Sequence, residues 1–196
     1  MDVSSLYINI PMNEGHRAIR YFLHKFPSPD RPDDTTVLRL TELVLRLAAF
    51  QYNGEFYLQK KGVAMGIKIG PSYACLFVGC IEQEILRSFR GPQPLLLKRY
   101  IDDYVGVAFS PLEYLNELIA HFNDFHPCLK FTHKISEDSL PFLNIQLWIN
   151  GQQIKTSVHY ESTDTHCYLN YLSSHPPSYK QSISFLTTHP APASLQ

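Results

Sequence analysis

The sequence predicts an α+β fold: an antiparallel sheet backed by helices. Three observations carry the prediction. Windows with helical apolar spacing are interleaved with short apolar runs of strand length. Two Asn-Gly pairs, Asn53-Gly54 and Asn150-Gly151, lie between apolar runs and signal hairpins. No internal repeat is visible, and the order mixes hairpins and helices. Composition agrees. The 196 residues, 44% hydrophobic and 18% charged, suffice for one compact domain. Plentiful Val, Leu, Ile, Phe and Tyr with a net charge of −1 exclude intrinsic disorder. Fourteen prolines and nine glycines without period exclude collagen and coiled coil.

The elements follow in order. Residues 2–10 read as a short strand that turns at Pro11. Asn13-Glu14 starts a helix to about Lys25, with Ala18, Ile19, Phe22 and Leu23 on one side. Residues 27–34 form a proline-rich loop, and Thr35 or Thr36 caps the next helix. Its core stripe is expected to be Leu38, Leu40, Leu43, Val44, Leu47 and Ala48. The aromatic segments flanking Asn53-Gly54 pair as a hairpin. Pro71 opens a buried helix to about Phe89. The runs Leu95–Ile101 and Tyr104–Phe109 form a hairpin with both strands buried. Pro111 opens a helix to about Phe125, with Leu115, Leu118, Ile119 and Phe122 inward. Strands follow near Leu129–Ile135, Phe142–Ile149 and Gln153–Tyr160, then a short helix near Tyr179–Leu186.

Several function classes fall away. No apolar run approaches the roughly 18 residues of a membrane span; the longest, around Ala74–Ile81, belongs to a buried helix. The balanced charge lacks the basic footprint of a bulk nucleic-acid binder, so a nucleic-acid reading must rest on a site. Cys75, Cys80, Cys128 and Cys167 form no CxxC pair and read as reduced thiols of a nuclear or cytoplasmic protein. There is no sequon and no signal-peptide pattern. His121 and His126, five apart, and His166 beside Cys167 form no zinc pattern.

The chemistry concentrates at Tyr100-Ile101-Asp102-Asp103. Adjacent carboxylates between apolar strands repel each other, and a divalent cation relieves the conflict. Taken alone, an acidic turn gives the same pattern. Asp2 opens another strand and reaches the same cleft if the strands are neighbours. Carboxylates at strand ends suit Mg²⁺, which fills its octahedron with water and phosphate oxygens. Two such ions activate an attacking hydroxyl and stabilise leaving pyrophosphate. The third feature is the glycine-rich run 59–71, with Lys60, Lys61 and Lys68 and a helix start behind it.

Together these segments resemble reverse transcriptases, most closely those of Penelope-like retroelements. The matching segments are DVSSLYINIP (2–11), YLQKKGVAMGIKIGPSYACLF (57–77) and RYIDDYVG (99–106). HPCLKFT (126–132), LPFLNI (140–145) and STDTHCYLNYLSSHPPSYK (162–180) complete them in the family's order. The resemblance implies a right-hand polymerase palm over 1–160, with residual fingers helices at about 12–50. It implies a connection and the start of a thumb over 161–196. Asp2, Asp102 and Asp103 become the catalytic carboxylates, with the Val3 carbonyl completing one metal's coordination. Two Mg²⁺ ions, with Mn²⁺ as a substitute, would be the cofactors. Tyr7 becomes the ring that excludes a ribose 2′-hydroxyl, and Met65 and Gly66 pack against the incoming nucleotide. Lys130, or its rival Lys134, would lie near the triphosphate. Phe142, Leu143 and Asn144 resemble the primer grip. There the family usually has Asp where Asn144 stands, and residues 161–164 depart from its usual Lys-Pro-Thr-Asp.

The function so implied is RNA-directed DNA polymerisation, on an RNA template and DNA primer with dNTPs and no membrane. The alternative is an inactive palm remnant that binds nucleic acid weakly or not at all. An RNA-templated RNA polymerase shares the aspartates, but Tyr7 argues against it. The resemblance implies that fingers segments before Asp2, and a full thumb and a GIY-YIG-type endonuclease beyond Gln196, would be missing here. That loss is expected to expose the apolar flank of the helix at Val37–Leu47.

Overall fold

The structure, a computed structural model, describes residues 1–150, 153–160 and 172–181. It opens with β1 (Asp2–Val3), which passes into a single helical turn, α1 (Leu6–Asn9). The expected strand over 2–10 therefore ends at Val3. Ser5 takes a left-handed φ of 52° and reverses the chain. Leu6 and Ile10, four apart, then bury together.

Helix α2 (Met12–Lys25) buries Gly15, Ala18 and Ile19. It approaches α4 (Gly70–Ser88) so closely that a Cβ at Gly15 would collide with the Tyr73 ring. The Tyr73 hydroxyl donates to the Met12 carbonyl at 2.9 Å. Helix α3 (Asp34–Arg46) is capped by neither expected threonine. Asp33 is the cap: its carboxylate accepts the Thr36 N–H at 3.0 Å and the Thr36 hydroxyl at 2.6 Å. The expected core stripe is also corrected. Thr41 and Leu45 are buried, with Val37 and Leu38 packed beside them. Leu40, Leu43, Val44 and Leu47 are exposed. Thr41 is tolerated inside because its hydroxyl donates to the Val37 carbonyl at 2.9 Å.

Strands β2 (Ala49–Tyr52) and β3 (Glu55–Leu58) form the hairpin expected at Asn53-Gly54. Both turn residues have positive φ, 51° and 83°, as a type I′ turn requires. Every residue of this two-stranded sheet is exposed.

The central sheet has the order β4-β5-β1-β6, where β4 is Leu96–Tyr100, β5 is Asp103–Val107 and β6 is Phe131–Thr132. Helix α5 (Leu112–Phe125) buries Leu118, Ile119 and Phe122. With α4 it carries the core beneath the sheet: Phe122 meets Tyr104 and Phe131 edge-on. The β4–β5 hairpin is not buried on both strands as expected. Only Tyr104 is fully buried, and Tyr100 is exposed. A third sheet, β7-β8-β9, comprises Ser139–Phe142, Ile145–Asn150 and Gln153–Val158. Here two expected strands become three shorter ones, because the chain turns at Leu143-Asn144. Pro141, which cannot donate to a ladder, sits on the edge strand β7. Residues 177–181 are helical, and the rest of the helix expected there lies outside the described residues. Among the described residues no helix is long and apolar enough to cross a membrane.

Candidate functional site

Strand register brings the aspartates together. Asp2 stands opposite Asp103 on one side and Thr132 on the other. Directly opposed residues of antiparallel strands project from the same face. The neighbours in sequence, Val3 and Tyr104, take the other face and are buried in the core. Alternation therefore turns both carboxylates away from α5. Asp102 lies in the two-residue loop Ile101-Asp102 that joins β4 to β5. Its carbonyl accepts the Val3 N–H at 3.1 Å, so the loop is stitched to β1.

The loop is strained. Ile101 has φ of 54°, a conformation that costs a β-branched residue about 1–3 kcal/mol. Arg99 over-determines it. Its guanidinium donates to the Ile101 carbonyl at 3.0 Å, the Cys75 carbonyl at 3.3 Å and the Glu82 carboxylate at 2.7 Å. The Tyr104 hydroxyl donates to the same Glu82 oxygen at 2.9 Å. Sequence reasoning missed Arg99 and Glu82. The signals were an arginine within an apolar strand and the first charge on an otherwise apolar helix.

Electrostatics reports the crowding of acids. Burial raises the Asp103 carboxyl above its usual range, and Asp102 and Asp2 add to it, with the Met1 ammonium opposing. Burial lowers the Met1 ammonium, against the pull of Asp103 and Asp2. Burial raises the Tyr7 hydroxyl, and Asp102 and then Cys75 push the same way. Tyr7 therefore lies in the field of the Asp102 carboxylate.

The glycine-rich loop is anchored on α1. The Val63 N–H donates to the Tyr7 carbonyl at 2.7 Å. Gly62 has φ of 69°, and a Cβ there would lie 2.6 Å from the backbone of Tyr7 and Ile8. At the other end, a Cβ on Gly70 would touch the Tyr7 ring at 3.4 Å. Between these anchors Met65 is 74% exposed, and Gly66 has φ of 91°.

Other expected site residues are not drawn into this cluster. Lys130 directs its ammonium to the Asn123 carbonyl on α5, at 2.9 Å, and the charges that act on Asp103 do not include it. Lys134 is exposed. Phe142, Leu143 and Asn144 form the β7–β8 turn, with Leu143 at φ of 53°, and β7 runs beside β5. Residues 161–164 and Cys167 lie outside the described residues, while Cys75, Cys80 and Cys128 are free thiols. Among the described residues no group of three His, Cys, Asp or Glu side chains is placed to hold a metal ion. The donor set is a cross-strand pair with Asp102 beside it. That suits an ion such as Mg²⁺, which takes one or two carboxylates and leaves other positions to water and phosphate.

No family model matches the chain. A telomerase reverse transcriptase from rice, Oryza sativa subsp. japonica, is 33% identical over 67 residues, covering 29% of this chain and 5% of the relative. An apo telomerase from Candida tropicalis, truncated from its C-terminal domain, superposes with a TM-score of 0.57 at 14% identity. That match covers 80% of this chain and 34% of the telomerase chain, so this chain spans about a third of its structural neighbour. The chain thus shares its overall fold with the telomerase structure, and part of its sequence with a telomerase reverse transcriptase.

Proposed function

We propose that this chain is the palm of an RNA-directed DNA polymerase of the Penelope-like retroelement class. It would extend a primer 3′-hydroxyl with dNTPs on an RNA template. The observation that carries the reading is the register of β1 against β5, which sets Asp2 beside Asp103 with Asp102 next in the loop. In this reading Asp2 and Asp102 hold two magnesium ions, Asp103 is the adjacent carboxylate, and the Val3 carbonyl is a further oxygen ligand. When bound, the ions would activate the attacking hydroxyl and neutralise charge on the leaving pyrophosphate. Crowding of the acids supports this, because a site that raises the cost of its own negative charge gains from a cation.

The same reading assigns the remaining roles. The Tyr7 hydroxyl feels the Asp102 carboxylate, which supports a role for its ring in excluding a ribose 2′-hydroxyl. Met65 and Gly66, at the crest of the loop anchored on Tyr7, would face the incoming nucleotide. Phe142, Leu143 and Asn144 would grip the primer from the β7–β8 turn. Lys130 is left out, since Asn123 engages its ammonium. Primer extension on an RNA template with Mg²⁺ or Mn²⁺ tests the reading. Incorporation of dNTPs but not rNTPs is expected, with loss in Asp102→Asn/Asp103→Asn. Synthesis that persists in that variant, or its absence from the folded wild-type chain, would overturn it.

A further inference from the structure

We infer that the outer face of α2 is a second nucleic-acid contact, a basic track for the phosphates of a single strand. Arg17, Arg20, Tyr21, His24 and Lys25 line a groove of about 530 Å³ on this helix. They recur at three- and four-residue spacing, so they share one face. At 1.5 Å rise per residue, Arg17 to His24 spans roughly 10 Å, long enough to meet more than one backbone phosphate.

Glu14 and Glu84 lie beside this face, but the ion pairs they and Asp34 offer it are long or absent. Arg20 has no ion-pair partner among the described residues. Arg17 reaches Glu14 only at 3.8 Å, while that carboxylate is held at 2.7 Å by His126. His24 lies 3.9 Å from Asp34, which Arg31 holds at 2.7 Å. Lys25 donates to Gln83 at 3.1 Å and to the Tyr21 hydroxyl at 3.3 Å, partners that leave its charge intact. The result is a concentrated positive strip on a chain whose net charge is −1. A phosphate backbone fits such a row, because guanidinium forks bind phosphate oxygens in pairs.

The track is separate from the aspartates. Helix α4 lies between, contacting the sheet through Cys75 and Glu82 and α2 through Gln83. The choice of nucleic acid over an acidic peptide rests on the polymerase reading. The test is binding of a labelled single-stranded RNA of mixed sequence to the full chain, titrated with salt. Arg17→Ala/Arg20→Ala removes two exposed charges and no core contact. Its salt slope is expected to fall by about 1.4, at roughly 0.7 per phosphate contact on a single strand. Arg17→Lys/Arg20→Lys should restore most of that slope. Asp102→Asn/Asp103→Asn should bind RNA at least as well as wild type while losing synthesis, so the two readings fail separately. An unchanged slope in the alanine variant, no RNA binding by the wild type, or equal competition by polyglutamate would each overturn the inference.

Discussion

Among single residues, Asp103 shows how crowding of acids bears on stability. Its carboxyl titrates above the usual 3.8 because burial and two neighbouring acids disfavour the charge. The folded state therefore holds this proton more tightly than the unfolded chain. Stability falls as pH rises through the window between 3.8 and the raised value, and stays lower above it. Asp103→Asn removes the penalty. In metal-free buffer at neutral pH its melting temperature should rise by about 1 °C, since solvent screens most of the repulsion. The difference should vanish below pH 3.8, where Asp103 is protonated in both states. Thermal unfolding across pH checks this, and a lower melting temperature at neutral pH would show that Asp103 is not strained by its neighbours. On the polymerase reading, the same variant should also lose primer extension.

Elements differ in how far the sequence betrayed them. The β2–β3 hairpin was legible because Asn53-Gly54 alone supplies two positive φ angles. Helices α2 and α5 were legible from periodicity, and α4 from Pro71 and the apolar run behind it. The rest depended on contacts the sequence does not print. The apolar arc of α3 is wider than the face it buries, so spacing could not choose which part of it packs. Strand β1 stops after two residues because Ser5 turns left-handed, which no composition signal announces. The β4–β5 hairpin is positioned by Arg99 and Glu82, two charges 17 residues apart whose meeting is tertiary. Breaking that pair should be costly. Glu82→Ala strands the Arg99 guanidinium, whose side chain is only 14% exposed, and the buried Tyr104 hydroxyl. The loss should be about 3 kcal/mol, the low end for an orphaned charge, because Glu82 itself keeps some solvent contact. Urea unfolding measures it. A loss under about 1 kcal/mol would mean that the pair does not hold the hairpin.

At the scale of the whole molecule, the core is continuous from β1 through α4 and α5, yet α3 and the β2–β3 hairpin leave many apolar side chains exposed. Leu40, Leu43, Val44 and Leu47 face outward from α3, with Leu47 68% exposed. The β2–β3 hairpin adds Phe50, Tyr52, Phe56, Tyr57 and Leu58, with Phe50 stacked on Tyr57 at 5.5 Å. Isolated exposed leucines need no explanation, but a cluster of this kind favours association. A two-stranded sheet with both faces in water is also marginal alone. These residues therefore govern solution behaviour more than folding. Leu43→Lys/Leu47→Lys should leave the melting temperature nearly unchanged, since neither side chain contributes to the core and exposed substitutions stay within about 0.5 kcal/mol. The same variant should raise the monomer fraction at high concentration, read by light scattering, because two charges interrupt the apolar surface. A marked fall in melting temperature would show instead that this face of α3 is packed in solution. Unchanged association would move the sticky surface to the hairpin, where Phe56→Lys is the corresponding substitution.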